Sequence, residues 1–114
     1  MEGLPDDAVL VRGGRNRIEA IEWAMATHPS GVTGISVESA AGGSVRELSA
    51  PIPHGQVGVT TVGKVRRKGG EVIQTSGRSP NHATLTGLSS QQIHQLLTPT
   101  VPNPAHVDPN PGRD

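Results

Sequence analysis

Residues 77–87 of this 114-residue chain read GRSPNHATLTG, and the alternation within this stretch decides how the rest of the sequence is interpreted. Successive side chains of a β-strand point to opposite faces, so His82, Thr84 and Thr86 share one face and the apolar residues between them share the other. The apolar face can pack on a core while the polar side chains line up on a surface. The stretch therefore predicts a strand over residues 81–86 with a candidate site on its polar face.

Working outward from this strand, further apolar runs predict strands at residues 8–12, 32–38, 56–61 and 71–74. In the run 32–38, Ile35 and Val37 are expected to face inward, and Ser36 and Glu38 outward. Helices are expected where a hydroxyl or amide residue is followed three positions later by Glu or Gln, the pattern of a capping box. Such pairs begin at Asn16, Ser44 and Ser89, and Thr61 precedes a fourth short helix, 62–68.

Strands and short helices alternate along the chain, which predicts an α+β or small α/β fold. We expect a single domain over 8–98, with a central sheet of about five short strands covered by two to four short helices. An acidic segment, 1–7, precedes it, and a Pro-rich tail, 99–114, follows. Five prolines in this tail are incompatible with a helix or a ladder, so the tail is expected to be extended or disordered, with Val101 as an anchor on the body.

The composition excludes several classes of site. The chain has no cysteine, which rules out disulfides and thiolate metal ligands and makes the cytoplasm the expected location. No apolar run reaches the roughly 18 residues that span a membrane, so no membrane association is expected. No two His or carboxylate residues have the spacing of metal ligands, and the glycine pairs lack the residues of a phosphate-binding loop. Neither a metal nor a cofactor is predicted.

The candidate catalytic residues are His54, His82, Thr84 and Arg78. Cleavage of RNA through its own 2′-hydroxyl needs an acid and a base but no metal, and two imidazoles can fill both roles. Thr84, two residues from His82 on the same strand face, would donate a hydrogen bond to the phosphate. Arg78 would stabilise the charge on the phosphoryl oxygens. His28 is a less favoured second imidazole.

The densest cationic cluster could contact phosphates, and it consists of Lys64, Arg66, Arg67 and Lys68. Such a run is more often the solvated face of a helix. The chain has one Trp and neither Phe nor Tyr, so base stacking on these side chains contributes little. RNA, if bound here, would be held by charge and hydrogen bonds.

The segments 53–62, 79–85 and 97–104, which include His54 and the run His82-Ala83-Thr84, resemble small bacterial proteins of unassigned function. This resemblance covers under half of the chain and implies no established activity. The polar strand residues are also similar to those of toxin-type ribonuclease domains, in which a helix packs on an antiparallel sheet carrying His, Arg and Ser/Thr. That second resemblance implies RNA as the substrate and a toxin–antitoxin context.

Three functions remain open from the sequence, and it does not settle whether the protein is an enzyme. The first is a non-catalytic module that binds a protein partner through residues 54–61 and 78–87 and the Pro-rich tail. The second is the metal-independent RNA-cleaving enzyme, with RNA as the partner. The third, more distant, resembles ADP-ribosyltransferases in the order of Arg12, Thr60 and Glu71, which would have to converge in one cleft.

Overall fold

The computed structural model describes residues 3–75, 77 and 79–106, so Arg78 and the last part of the predicted tail, 107–114, lie outside the described residues. In chain order the elements are β1 (Val9–Gly13), α1 (Ile18–Ala24), β2 (Ala26–Thr27), β3 (Thr33–Ala40), α2 (Val45–Ser49), β4 (Gln56–Thr61), α3 (Val62–Arg67), β5 (Glu71–Gln74), β6 (His82–Thr86), α4 (Ser90–Leu97), β7 (Val101–Pro102) and a 3-10 turn (Pro104–His106). The predicted α+β class is confirmed, with seven strands in place of about five. None of the helices in this described part has the length and apolar character needed to cross a membrane.

The sheet is antiparallel throughout its recorded pairings. Six strands lie in the order β5-β6-β3-β1-β4-β7, and β2 pairs with β3 as a short hairpin. The register places Val11 of β1 opposite Glu38 of β3, and Glu38 opposite His82 of β6. These three residues therefore share one row and one face of the sheet.

Helices α1, α3 and α4 cover one face of the sheet, called here the helix face. Their buried side chains, among them Ile21, Val65 and Ile93, pack on strand residues of alternate positions: Leu10, Ile35, Val37, Ala83 and Leu85. Full burial of a Leu, Ile or Val side chain contributes about 1.5–3 kcal/mol. The main core therefore lies between the helices and the middle of the sheet.

The second face of the sheet has two parts. In the covered half, Val11 of β1 and Val57 of β4 pack on Leu48 of α2 and on Ile52, which follows it. In the polar half, over β3 and β6, the same face carries side chains of a different kind: Ser36, Glu38, His82 and Thr84. The change from valines to polar residues across adjacent strands fixes the position of the candidate site.

Two of the three predicted capping boxes are present and one is not. Ser44 begins α2 and Ser89 begins α4, each with the reciprocal hydrogen bonds of a capping box. Asn16 does not cap α1, because its φ is +54° and its Nδ2 donates to carbonyl groups of the preceding turn. Asparagine adopts this left-handed conformation at low cost, so α1 begins one residue later, after Arg17.

The expectation that the tail forms no helix or ladder is wrong for residues 101–106, where β7 extends the sheet beside β4 and a 3-10 turn follows. Val101 is 43% exposed, so it is not the buried anchor that the sequence suggested. Asn103, which is 2% exposed, has that role. Its Nδ2 lies within 3.4 Å of the carbonyl oxygens of Ser49, Ile52 and His54 and donates to them. This one amide fixes the loop between α2 and β4.

Candidate functional site

A cavity of about 450 Å³ opens on the second face, at the border of the covered and polar halves. The floor is formed by strand residues, and the two walls are the loop 51–54 and the turn that precedes β6. The residues that define it are Val11, Gly13, Ser36, Glu38, Ile52, His54, Gly77, Ser79 and His82. Ligand-binding cavities commonly measure about 300–1,000 Å³. This one is large enough for a nucleotide-sized ligand.

The structure brings His54 and His82 to this one cavity. The ring of His54 lies over Gly13 of β1, so closely that a Cβ at Gly13 would come within 2.6 Å of its Nδ1. His82 lies on β6, and β3 separates β6 from β1. Two strand spacings amount to about 10 Å. The two imidazoles therefore line the same cavity from strands about 10 Å apart.

Hydrogen bonds orient the His82 ring. Its Nδ1 lies 2.8 Å from the Oγ1 of Thr75, which lies 3.1 Å from the Oγ1 of Thr84. Thr84 is 3% exposed and contacts a smaller neighbouring cavity instead of this one. The structure thus connects Thr84 to His82 through Thr75, and its role as a donor to phosphate stays a prediction.

Glu38 was expected to face solvent, and this expectation is wrong. Its side chain is on the predicted face of β3, but it is only 9% exposed and lies in the cavity floor. Its Oε1 is buried and has no hydrogen-bond partner among the described residues. A buried carboxylate oxygen without a donor is costly to the folded state. Glu38 is the functional candidate that the sequence analysis missed.

Glu38 is also placed to act together with His82. The two residues are directly opposite each other on β3 and β6. Directly opposed residues of an antiparallel pair have Cβ atoms about 5 Å apart, so their side chains can share a ligand. The cavity therefore combines a carboxylate at its centre with an imidazole on each side.

No described guanidinium takes the place predicted for Arg78, which itself lies outside the described residues. Arg12 borders the cavity, but alternation with Leu10 directs its side chain to the helix face. Burial lowers the pKa of the Arg12 guanidinium below its ordinary value. Its Nε is buried without a hydrogen-bond partner in the described part of the chain. Arg12 thus contributes backbone to the cavity.

The predicted nucleic-acid-binding cluster lies elsewhere. Its residues are on or next to α3, the helix that packs on the helix face through Val62 and Val65: Lys64, Arg66, Arg67 and Lys68. Arg66 is already engaged, with its Nη1 2.6 Å from Asp6 and its Nε 2.8 Å from Glu71. The hydrogen bond to Asp6, followed by that to Glu71, raises the pKa of Arg66. The cluster and the cavity are on opposite sides of the sheet, so they do not form one site.

The segments 54–61 and 78–87 do not form one continuous surface. Strands β4 and β6 are interior strands with a partner on each side, and β1 and β3 lie between them. Only their N-terminal ends converge, at His54 and at the turn before His82. A protein partner would therefore contact the rim of the cavity and not the strands themselves.

The residues proposed for ADP-ribosyl transfer are not brought together. Thr60 is 4% exposed and lies on the helix side of β4. Glu71 begins β5, and two strands, β6 and β3, separate it from Arg12 on β1. Glu71 is instead bonded to Arg66. The three residues do not share a cleft.

No protein-family model, curated protein or solved structure matches this chain. The resemblances stated from the sequence therefore stay predictions. Over the residues that the structure describes, no group of three or more His, Asp or Glu side chains could hold a metal ion. What the protein does is thus inferred from the cavity and its three ionisable side chains, His54, His82 and Glu38.

Proposed function

We propose that the cavity is an acid–base site that cleaves RNA by a metal-independent reaction. The observation that supports this best is that His54, His82 and Glu38 line one cavity, and that the Oε1 of Glu38 has no hydrogen-bond partner among the described residues. The resemblance to bacterial toxin-type ribonuclease domains favours the same reaction. A cytoplasmic location, where such a protein meets RNA, is part of the proposal.

RNA supplies its own nucleophile, so the protein needs only to move protons. One imidazole takes the proton of the 2′-hydroxyl while its oxygen forms a bond to phosphorus. The other imidazole gives a proton to the departing 5′-oxygen as its bond to phosphorus breaks. The products are a 2′,3′-cyclic phosphate and a 5′-hydroxyl. Histidines on opposite sides of the cavity suit the opposite positions of the attacking and departing oxygens.

Glu38 stabilises the charge that the base acquires in this scheme. It lines the cavity directly opposite His82, and its carboxylate favours the imidazolium that forms when an imidazole takes the proton of the 2′-hydroxyl. DNA lacks this hydroxyl, so the proposal also predicts that the protein does not cleave DNA.

The test is cleavage of an unstructured RNA oligonucleotide in the presence of EDTA, with identification of the new ends. The wild-type protein should leave 2′,3′-cyclic phosphate ends. His54→Ala and His82→Ala should each lower kcat/KM by about 10²- to 10⁴-fold, the usual contribution of general acid–base catalysis. Their Tm values should stay close to that of the wild type, because both side chains lie at the cavity and not in the apolar core.

His106→Ala is the matched control, since it removes an exposed imidazole from the C-terminal turn, outside the cavity. It should leave cleavage unchanged. Absence of cyclic phosphate ends with the wild-type protein, or equal losses in all three variants, would contradict the proposal.

A second function, binding of a protein partner, is favoured by an exposed apolar edge. Pro53, Pro99, Val101 and Pro102 are all exposed, and β7 is an edge strand of the sheet. Val101→Asp should abolish capture of a partner in a pull-down and leave RNA cleavage unchanged. This substitution is a sharper test than deletion of the tail, which would also remove Asn103 and so release the loop that holds His54. If the Val101→Asp protein captured the partner at the wild-type level, this edge would be excluded as the binding surface.

A further inference from the structure

A second, smaller cavity of about 220 Å³ adjoins the first on the same face of the sheet. It lies between the β2–β3 hairpin and β6, and its lining includes Ala24, Thr27, His28, Ser36 and Thr84. Cavities that hold a complete small ligand usually exceed about 300 Å³. This cavity is therefore suited to one part of a ligand whose remainder lies elsewhere.

The two cavities are neighbours in a direct sense. Ser36 lines both of them. The ring of His82 lines the first and the ring of His28 lines the second, and the two ring centroids are 5.4 Å apart with planes tilted by 32°. The two cavities are therefore adjacent, with Ser36 in the lining of both and the contact between the two imidazole rings at their border.

The lining of the second cavity fits a flat, uncharged group with polar edges. Its described residues are apolar or carry hydroxyls, with one imidazole and no Asp, Glu, Lys or Arg. An imidazole face can stack on a base, and hydroxyls such as that of Thr27 can bond its edge. A nucleobase has this combination of a flat face and hydrogen-bonding edges.

The His28 ring is held in position before any ligand binds. Its Nδ1 accepts a hydrogen bond from the backbone N–H of Ser30 at 3.0 Å and lies 2.8 Å from the Oγ of the same residue. A ring that is already ordered loses little conformational entropy on binding, which favours affinity. The hairpin thus holds the His28 imidazole at the second cavity in one orientation.

We infer that the second cavity is a nucleobase subsite, in which His28 stacks on the base of the nucleoside that departs when the RNA is cut. This inference rests on the proposed function, because the first cavity has to hold the reacting phosphodiester. It assigns the substrate class as a dinucleotide or longer RNA. It also makes His28 a residue that binds substrate and takes no part in proton transfer.

The test compares two substrates with the same nucleoside on the 5′ side. One is a dinucleoside monophosphate, and the other is the nucleoside 3′-(methyl phosphate), whose leaving group has no base. His28→Ala should lower kcat/KM for the dinucleotide about 10- to 100-fold, the range found when a stacking aromatic is removed. The loss for the methyl ester should be at least about fivefold smaller, because its leaving group has no base to stack on the ring. His28→Phe, which retains a stacking ring, should restore most of the loss.

Equal losses on both substrates would overturn the subsite, since His28 would then act on the chemistry through His82. No loss on either substrate would overturn it as well. A separate measurement distinguishes failure of the subsite from failure of the proposed function: calorimetric binding of the 2′-deoxy dinucleotide, which has no nucleophile. Weaker binding to His28→Ala than to the wild type would support the subsite even if the wild type cuts neither ester. Equal binding would overturn it.

Discussion

The covered half and the polar half of the second sheet face are formed by adjacent strands, but their side chains have opposite effects on stability. Under α2, Val11 and Val57 face Leu48, and each contact adds to stability. One strand away, Glu38 takes the equivalent position, and its buried Oε1 has no hydrogen-bond partner among the described residues. An unsatisfied buried carboxylate lowers stability, whereas the valines beside it raise it. The comparison teaches that a polar strand residue is a stronger candidate for a functional role where it is buried than where it faces solvent.

The largest effect is expected from Leu48→Ala in the covered half. Leu48 is fully buried between α2 and the valines of the sheet. Deleting its side chain should cost about 2–5 kcal/mol of unfolding free energy through lost burial and a residual cavity. Urea denaturation measures this value.

Ile73→Ala is the matched control at the outer edge of the polar half, where Ile73 lies opposite Thr84 and is 39% exposed. Ile73→Ala should lower the unfolding free energy by at most about 1 kcal/mol, since much of the side chain is already in water. Equal costs for the two variants would show that α2 contributes no more than an open edge, and the distinction between the halves would fail.

A smaller effect, of opposite sign, is expected from Glu38→Leu. Replacing an unpartnered buried carboxylate by an apolar side chain should raise the unfolding free energy by about 1–2 kcal/mol. RNA cleavage should fall at least tenfold, because the imidazolium formed during the reaction loses the carboxylate that stabilises it. Denaturation and cleavage are measured on the same preparation.

Ser36→Ala, in the same half but without a buried charge, should change stability by no more than about 0.5 kcal/mol. A destabilising Glu38→Leu would mean that the carboxylate has a structural partner. In that case the polar half would be part of the framework and not a site.

The smallest effect is expected for Glu71 on β5, at the outer edge of the sheet, and it is a contribution to stability that depends on pH. The backbone N–H of Val72 and then Arg66 donate hydrogen bonds to Glu71, which lowers the pKa of its carboxyl from 4.5. A lowered pKa stabilises the fold above pH 4.5, and this stabilisation is lost as pH falls through the folded-state pKa. Glu71→Gln should therefore cost stability at pH 7 and nothing at pH 2–3. The side chain is 46% exposed, so the cost at pH 7 should stay below about 1 kcal/mol.

Urea denaturation of the wild type and Glu71→Gln at several pH values gives this difference directly. A difference that does not vary with pH would show that the carboxylate contributes no charge-dependent stabilisation. The β5 edge would then be held by its backbone pairing alone.

Features that depend on neighbours in sequence were predictable. Ser44 and Ser89 cap their helices because the reciprocal hydrogen bonds of a capping box span only three residues. Asn16 carries the same pattern, but asparagine also accepts a positive φ, and the turn after β1 uses that second property. Local sequence patterns therefore predict helix starts well where the capping residue has one strong conformational preference.

The site was only half predictable, for a different reason. Alternation identified the face on which Glu38 and His82 lie, but not the loop that covers it. The cavity that Glu38 lines has residues 51–54 as one wall, and their position is set by Asn103, about fifty residues later in the chain. The meeting of His54 and His82 likewise depends on strand order, which no local pattern specifies. The signal available in the sequence was Glu38 itself, a single acidic residue in a strand, β3, whose other residues are small or apolar.

The amide of Asn103 has a consequence for how a change far from the cavity can reach it. Asn103 donates hydrogen bonds to the carbonyl oxygens of Ile52 and His54 and so fixes the loop that forms one wall. A substitution that removes this amide therefore loosens the wall that carries His54, although Asn103 itself does not line the cavity.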